Sequence, residues 1–120
     1  MKTWAVVGLG NNPERAAFGV AKLLQDKGHR IIPVYPRAET VHGEVGYKTL
    51  SEIPGSIDVV DCFVNSTLVG KVVDEAIAIG AKAVWLQLDV IDDDAIARAQ
   101  GAGLVTVMDR CPAIEYRKKS

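Results

Sequence analysis

The chain has 120 residues, of which 48% are hydrophobic and 24% charged, a composition typical of a single globular domain with a substantial core. Its formal net charge is −1, with 14 basic and 15 acidic side chains and no long run of one sign. This balance excludes the basic surface that non-specific binding of nucleic acid or of an anionic membrane requires. We expect residues 1–120 to form one domain that binds neither nucleic acid nor a membrane.

The sequence also lacks the marks of a targeting segment or a cysteine-based site. The N-terminus has no apolar core or small-residue cleavage site of a signal peptide, and no apolar run reaches the length of a membrane span. The two cysteines, Cys62 and Cys111, lie far apart without metal-ligating neighbours, which argues against a disulfide framework or a zinc site. The cytoplasm is the expected location.

Short runs of Val, Ile, Leu and Ala alternate along the chain with longer segments of helical period. The runs predict strands at residues 3–8, 30–35, 59–64, 83–88 and 104–108. The periodic segments predict helices at residues 15–27, from a Ser66 cap to Gly80, and from Asp92 to Gly101, with a short helical turn at residues 49–53. This alternation predicts a three-layer, doubly wound, Rossmann-like α/β domain. We expect a five-stranded, mainly parallel sheet in the order 3-2-1-4-5, with a ligand site at the carboxyl ends of its strands.

The first predicted strand runs into a Gly-x-Gly turn, formed by Gly8 and Gly10, which opens the first helix. Such a turn brings backbone N–H groups and the positive end of a helix dipole to one point, where a phosphate or diphosphate binds. The third glycine of the dinucleotide-binding pattern Gly-x-Gly-x-x-Gly is Pro13 here, a residue suited to the first turn of a helix. A tight turn also needs glycine for steric reasons alone, so the motif leaves both a phosphate loop and a structural turn open.

The end of the second predicted strand separates two classes of nucleotide ligand. An NAD site has Asp or Glu there to bind the ribose hydroxyls, whereas this chain has Tyr35, Pro36 and Arg37. Arg37 suits a phosphate on the ribose, as in NADP or in the 3′-phosphorylated ADP of coenzyme A (CoA). Arg15 adds a second cation for the diphosphate, and Glu39 lies beyond the position expected for an NAD carboxylate. Each arginine is also compatible with an ordinary solvated surface residue.

Residues of the catalytic types are few. His29 begins the second strand, at the end opposite the expected site, and His42 lies in a loop near the edge of that site. The three aspartates at residues 92–94 favour the start of a helix over a metal site. Cys111 follows the last strand beside Arg110, so it is either a reactive thiolate or a small buried apolar residue. The absence of a recognisable catalytic arrangement favours a binding protein over an enzyme.

Segments spread over nearly the whole chain share the order and spacing of one protein family. They are Val7-Gly8-Leu9, Asn12-Pro13-Glu14-Arg15, Ile31-Ile32-Pro33-Val34-Tyr35-Pro36, Gly46-Tyr47, Asp58-Val59-Val60-Asp61, Val84-Trp85-Leu86-Gln87-Leu88 and Met108-Asp109-Arg110-Cys111. On these segments the chain resembles the CoA-binding domain family. This is the Rossmann-like module found at the N-terminus of succinyl-CoA synthetase α-subunits and in small stand-alone bacterial and archaeal proteins, of which the stand-alone members are more similar.

The resemblance implies that CoA or an acyl-CoA binds with its diphosphate at residues 8–15 and its phosphorylated ribose and adenine near residues 34–37. The turn at residues 64–66 would border the adenine or the pantetheine arm, and the thiol end would run toward Gln87 and Cys111. The implied cofactor-binding residues are Gly8, Leu9, Gly10, Asn11, Asn12, Arg15, Tyr35, Pro36, Arg37, Val64, Asn65, Ser66, Gln87 and Cys111. Two residues depart from the family pattern: Gly10 replaces a common serine, and Tyr35 replaces the usual asparagine before the proline.

These observations favour non-covalent binding of CoA or an acyl-CoA by a carrier, sensor or regulatory module. The catalytic phosphohistidine of the synthetase α-subunit lies in a second domain that this sequence lacks, so the resemblance does not imply the ligase reaction. Two alternatives remain open: an NADP(H)-binding redox or sensor protein, and a CoA-linked thiol protein in which Cys111 forms a mixed disulfide with the ligand. Trp85 and the edge strands would also allow a homodimer, and an unidentified protein partner is equally compatible.

Overall fold

The computed structural model describes residues 2–112 and residue 114, so both ends of the predicted domain 1–120 lie outside the described residues. Strands and helices alternate along this part of the chain, with one short 3₁₀ turn at Leu50–Glu52. The strands are β1 Thr3–Val7, β2 Arg30–Val34, β3 Val59–Cys62, β4 Ala83–Leu86 and β5 Val105–Val107. The helices are α1 Ala16–Asp26, α2 Ser66–Ala78 and α3 Asp93–Gly101. The predicted alternation of strands and helices is confirmed.

The five strands form one parallel sheet in the order β2-β1-β3-β4-β5, with helices on both faces. On one face, Ala17 and Leu24 of α1 pack with Trp4 of β1. On the other face, α2, α3 and the 3₁₀ turn pack around residues such as Val60 and Val84. Because the strands bury both faces, their sequences are almost continuously apolar. The three-layer, Rossmann-like fold is confirmed.

The position of β3 differs from the predicted order 3-2-1-4-5, which would have put it at the sheet edge beside β2. In the structure β3 pairs with β1 and β4, and its residues are between 0% and 8% exposed. β2 takes the edge instead, a place compatible with Pro33, which has no N–H group to donate to a further strand. Pro33 lies on the outer side of β2, where its carbonyl accepts a hydrogen bond from Tyr47 N–H at 2.9 Å. This proline was the sequence signal for an edge strand.

The strands also end one or two residues earlier than predicted. β1 ends at Val7 and not at residue 8, and β3 ends at Cys62 and not at residue 64. The residues just beyond the strand ends therefore belong to loops, and several of them line the cavities described below.

The helix starts agree with the expected capping chemistry at α3 and depart from it at α2. Asp92 caps α3, because its Oδ1 accepts a hydrogen bond from Ala95 N–H at 3.0 Å and two further aspartates follow in the first turn. At α2 the cap is Asn65 and not the predicted Ser66, since Asn65 Oδ1 accepts from Thr67 N–H at 3.0 Å.

Across the described residues, His, Cys, Asp and Glu form no cluster that could hold a metal ion. No helix within the same residues is long and apolar enough to cross a membrane.

Asp61 of β3 lies wholly inside the core. Neither of its carboxyl oxygens has a hydrogen-bond partner among the residues that the structure describes. Burial without a partner disfavours the ionised form and raises the pKa of Asp61 well above its usual range. By strand alternation Asp61 shares a face with Val59, which packs on the α1 side of the sheet. Burial likewise raises the pKa of the neighbouring Cys62 thiol, on the opposite face.

Candidate functional site

Gly8 directly follows β1, in a conformation that glycine adopts readily and other residues do not. Its φ is 99°, and its N–H donates a hydrogen bond to the Val34 carbonyl at 2.8 Å. A Cβ atom on Gly8 would lie 2.9 Å from the Phe63 carbonyl oxygen. The carboxyl ends of β1, β2 and β3 therefore meet at this glycine without room for a side chain. The loop of residues 8–15 leaves the sheet from this junction.

The strand order makes this junction a topological switch point. From the central β1 the chain moves to β2 on one side, and it then returns past β1 to β3 on the other. Open α/β sheets bind ligands in the crevice that such a reversal leaves at the carboxyl ends of the strands. Two adjoining cavities lie in that crevice.

The first cavity has a volume of about 450 Å³ and lies between the loop and the end of β2. Its lining residues are Gly8, Gly10, Asn11, Asn12, Pro13, Arg15, Tyr35, Arg37 and Glu39. All of these except Pro13 and Glu39 belong to the predicted cofactor-binding set. The structure thus brings together two segments that are distant in the sequence, as the prediction required.

The second cavity has a volume of about 680 Å³ and continues from the first across the ends of β1, β3 and β4. The two cavities share Gly8, Arg15 and Tyr35. The other residues of the second lining are Val7, Val34, Pro36, Lys48, Phe63, Val64, Asn65, Leu68, Leu88, Asp89 and Val90. The first cavity is therefore mainly polar and charged, whereas the second is mainly apolar.

Two arginines from different segments line the first cavity. Arg15 immediately precedes α1, where the first N–H groups of the helix have no partner within the helix. Its exposed side chain has no ion-pair partner within the described part of the chain. Arg37 is 77% exposed, with its Nε 3.7 Å from Glu39 Oε2 and its guanidinium carbon 5.9 Å from the centre of the Tyr35 ring. An ion pair as exposed as that of Arg37 and Glu39 contributes little to stability, so it does not prevent Arg37 from binding an anion. Both arginines of this lining are therefore available to an anionic ligand.

Glu39 lines the first cavity, although the sequence analysis left it outside the predicted cofactor-binding set. Its Oε1 accepts a hydrogen bond from Asn11 N–H at 2.8 Å and so ties the segment after β2 to the glycine loop. Asn11 Nδ2 adds a second tie, to the Thr40 carbonyl at 2.6 Å. The left-handed conformation of Ala38, with φ 49°, turns the chain after Arg37 and brings Glu39 back to the loop. In an NAD site the carboxylate is expected directly at the end of the second strand. The turn at Ala38 places Glu39 further along the chain than that position, so the expected spacing does not identify it.

The predicted residues of the glycine loop differ in what they contact. Leu9 is fully buried in the α1-side core, so it anchors the loop and lines neither cavity. Asn12 lines the first cavity, and its Oδ1 accepts a hydrogen bond from Glu14 N–H at 3.0 Å. A Cβ atom on Gly10 would lie 3.4 Å from Tyr35 Cε2. Because Gly10 has no side chain, the Tyr35 ring can lie close to the backbone of the loop.

The predicted turn at residues 64–66 divides between the cavity and the scaffold. Val64 and Asn65 line the second cavity, whereas Ser66 does not. The Ser66 hydroxyl accepts a hydrogen bond from Ile91 N–H at 2.9 Å and donates one to the Asp89 carbonyl at 3.3 Å. Ser66 thus holds the loop after β4 against the start of α2.

Gln87 and Cys111 line neither cavity. Gln87 is buried, and its Oε1 has no hydrogen-bond partner within the described ranges. Cys111 is 9% exposed and packs in the α1-side core with Trp4 and Val6. Its burial agrees with the alternative of a small apolar residue. That the thiol end of a ligand reaches these two residues stays a prediction.

The two histidines make contacts within the scaffold. His42 Nε2 lies 2.8 Å from the Phe18 carbonyl oxygen, and the centres of the two rings are 4.3 Å apart. His29 lies at the amino end of the sheet, where Lys2 N–H donates to its Nδ1 at 3.2 Å and Trp4 packs against its ring. Burial, followed by the nearby positive charges of the N-terminus and Lys2, lowers the pKa of His29. Neither histidine lines the two cavities.

Comparison with known proteins adds the family to this geometry. A family model described as the CoA binding domain matches residues 2–117. The chain belongs to the CoA-binding domain family. Uncharacterized protein YneT of Bacillus subtilis (strain 168) is 34% identical over 115 residues, which are 96% of this chain and 85% of YneT. A solved structure of a hypothetical protein from Pyrococcus horikoshii OT3 has a TM-score of 0.93 at 39% identity and covers 98% of this chain and 82% of that chain.

A third relative is part of an enzyme. The alpha subunit of ADP-forming acetate–CoA ligase II from Pyrococcus furiosus is 35% identical over 81 residues, which are 67% of this chain but 18% of the subunit. The similarity therefore concerns one domain of that subunit and not its whole length. The family resemblance seen in the sequence is confirmed by these matches.

Proposed function

We propose that this member of the CoA-binding domain family binds CoA, free or acylated, without forming a covalent bond to it. The observation that carries the proposal is the pair of adjoining cavities at the carboxyl edge of the sheet, one charged and one mainly apolar. CoA has the same division, since its phosphorylated nucleotide is followed by an uncharged pantetheine arm. Arg15 belongs to both linings, at the point where the diphosphate would join the two parts.

In this proposal the first cavity takes the nucleotide. The diphosphate lies at the start of α1, where the helix dipole and the Arg15 guanidinium favour negative charge. Arg37 binds the phosphate on the ribose, and the Tyr35 ring borders the ribose or the base. The proposal thus uses both cations of the lining for phosphate groups of one ligand.

The second cavity takes the pantetheine arm and any acyl group on it. Phe63 and Leu88 contribute to its apolar wall, and Lys48 and Asn65 offer polar partners for the amide groups of the arm. Leu88 is an exposed apolar side chain, so an apolar group bound over it would remove that surface from water.

In this proposal the ionisable side chains of the two linings serve as binding groups. Among the described residues, those that line the two cavities include no serine, cysteine or histidine. We therefore propose a carrier, sensor or regulatory module whose bound state is read by another molecule.

A thermal-shift panel with CoA, acetyl-CoA, dephospho-CoA, NAD and NADPH on the reduced protein tests the proposal. A ligand at about a hundred times its dissociation constant adds about 2.7 kcal/mol to the free energy of unfolding, or about 10 °C in a domain of this size. We expect stabilisation by CoA and acetyl-CoA, and a smaller shift with dephospho-CoA at the same concentration. A melting temperature that does not respond to saturating CoA would contradict the proposal.

NADP(H) is the second candidate, because Arg37 at the end of β2 favours a phosphorylated ribose over that of NAD. The 2′-phosphate of NADP would meet the same guanidinium as the 3′-phosphate of CoA. A competition titration separates the two candidates: the ligand that displaces the other at the lower concentration identifies the class.

A further inference from the structure

The segment after β2 presents a carboxylate and a guanidinium side by side in the first cavity. Glu39 Oε2 lies 3.7 Å from Arg37 Nε, and both side chains belong to the lining. Glu39 is the more enclosed of the two, with 28% of its side chain exposed against 77% for Arg37. The pair offers a ligand one strong hydrogen-bond acceptor and one strong donor group at neighbouring points.

Backbone contacts hold Glu39 in this position. Ala38 N–H donates to the Tyr35 carbonyl at 2.8 Å, and the left-handed Ala38 directs the next residue toward the loop. Gly46 packs so closely on the Glu39 backbone that a Cβ atom there would overlap the Glu39 carbonyl oxygen. The carboxylate keeps one hydrogen bond from Asn11 N–H, and a carboxylate has about four acceptor positions, so it can accept a further donor.

The chemistry of this pair favours one kind of ribose. A carboxylate accepts hydrogen bonds from hydroxyl groups and repels phosphate, whereas a guanidinium binds phosphate. The 2′ and 3′ oxygens of a ribose are neighbours, as the two side chains are. A ribose with two free hydroxyls offers no anion to Arg37. A ribose that carries phosphate on both oxygens would bring one phosphate against the Glu39 carboxylate. One phosphate beside one free hydroxyl satisfies both side chains.

We propose that Glu39 is a specificity-determining residue that acts with Arg37 to recognise a ribose carrying one phosphate and one free neighbouring hydroxyl. The inference rests on the proposed function, because it names the part of the ligand that the first cavity recognises. It also places the diphosphate away from Glu39, at the start of α1 beside Arg15.

Isothermal titration with two ligand pairs, CoA with dephospho-CoA and NADP with NAD, tests the inference on the wild-type protein, E39Q and R37Q. E39Q keeps the size of the side chain and an oxygen for Asn11 N–H but removes the charge. The matched control is E52Q, because Glu52 is an exposed carboxylate outside the glycine loop and lines neither cavity. Urea unfolding shows whether each variant is folded. E39D, which keeps the charge and shortens its reach, is the second variant if E39Q is unstable.

We expect E39Q to weaken both CoA and dephospho-CoA, by about tenfold to a hundredfold, because each ligand loses a hydroxyl-to-carboxylate hydrogen bond. E39D should weaken both ligands as well, because its carboxylate no longer reaches the hydroxyl. R37Q should instead remove the preference for CoA over dephospho-CoA, because only CoA loses a phosphate contact. E52Q should leave both affinities unchanged.

Tighter binding of CoA by E39Q would overturn the inference, because the carboxylate would then oppose the charge of the ligand and not bind a hydroxyl. CoA binding that is equal in the wild-type protein and the Glu39 variants would also overturn it, while the proposed function stands. If only the NADP pair binds and shows the expected pattern, the proposed function fails and the inference stands. If none of the four ligands binds the folded wild-type protein, both fail.

Discussion

The two halves of the carboxyl edge of the sheet differ in how many charged side chains they leave exposed in a cavity. In the half at β1 and β2, Arg15 and Arg37 are exposed in the lining of the first cavity. In the half at β4 and β5, polar groups of different loops bind one another, as Asp89 N–H does in donating to Asp109 Oδ1 at 2.7 Å. Both halves contain hydrogen bonds between loops, and the half at β1 and β2 in addition keeps two arginine side chains exposed in a cavity lining.

The half at β4 and β5 is braced by further contacts. Trp85 Nε1 donates to the Arg110 carbonyl at 2.7 Å, directly before the buried Cys111. Asp89 and Asp109 both have left-handed backbones, with φ of 66° and 59°, which is uncommon for residues other than glycine. The comparison teaches that a place at the carboxyl edge does not by itself make a residue functional. A polar group there can bind a ligand only through donor or acceptor positions that the fold has not already used.

Among substitutions in the two halves, we expect the largest effect on binding and stability from a side chain at Gly8, where the ends of β1, β2 and β3 meet. In Gly8→Val the side chain would meet the Phe63 carbonyl, 2.9 Å from the Cβ position, and a β-branched residue strongly disfavours a φ of 99°. We expect loss of CoA binding and a destabilisation of about 2 kcal/mol or more, measured by isothermal titration and urea unfolding. A folded Gly8→Val protein that still binds CoA would remove the loop from the site.

Gly19→Ala is the matched control for that substitution. Gly19 lies in α1, and no atom beyond its chain neighbours and the backbone of its own helix lies within 4 Å of its Cβ position. Alanine at this helical position should stabilise the protein by about 0.5–1 kcal/mol and leave CoA binding unchanged.

The next largest effect, on the pH dependence of stability, is expected from substitution of Asp61, which lies in β3 between the two halves. The raised pKa of Asp61 means that the folded protein keeps a proton that the unfolded chain releases near its ordinary pKa of about 3.9. Since the unfolded state then binds fewer protons, this group lowers stability as the pH rises, by up to about 1.4 kcal/mol per pH unit. Asp61→Asn cannot ionise, so its stability relative to wild type should increase with pH from about 4 toward 7. Urea unfolding over that range checks this, and a difference that does not vary with pH would contradict it.

Substitution of each arginine of the first cavity should have a smaller effect, and the two substitutions should differ in which ligands they weaken. Arg37→Ala should weaken CoA more than dephospho-CoA, by about 1.5–3 kcal/mol, for the loss of a charge-assisted contact to the ribose phosphate. Arg15→Ala should weaken both ligands equally, because both carry the diphosphate. Isothermal titration measures all four affinities. Equal losses for both ligands in Arg37→Ala would mean that this arginine does not contact the 3′-phosphate.

The smallest effect is expected in the braced half, at Cys111. Cys111 is 9% exposed and lines neither cavity, so Cys111→Ser should leave the affinity for CoA unchanged. Mass spectrometry of the wild-type protein incubated with CoA under oxidising conditions should show no adduct. A mass increase that is lost on reduction, together with weaker binding by Cys111→Ser, would instead favour the thiol-linked function.

Much of the fold could be predicted from local patterns. The positions of the strands and helices follow from apolar runs, helical periods and capping residues such as Asp92, all of which act over a few residues. The order of the strands required one more signal, Pro33, whose missing N–H group suits an edge strand. The exact strand ends could not be predicted, because they depend on where neighbouring chains cross, as at Gly8 and Phe63.

The candidate site was predicted in part. The residues that line the first cavity from the loop and from Tyr35 and Arg37 follow from motif position, since turns and strand ends are visible in the sequence. Glu39 was missed because a left-handed residue before it redirects the chain. Ser66 was placed in the site, but its hydroxyl is bonded to the loop after β4, and no rule of spacing shows that partner.

By itself the sequence determined the α/β alternation, the glycine turn at the end of β1 and the cations near it, because each depends on residues close together in the chain. Only the tertiary structure decided which polar groups at the carboxyl edge are left for a ligand. The hydrogen bonds from Asn11 N–H to Glu39 and from Asp89 N–H to Asp109 join residues 28 and 20 positions apart. Such bonds form only when the strands have been placed side by side, and strand order is set by packing across the whole sheet.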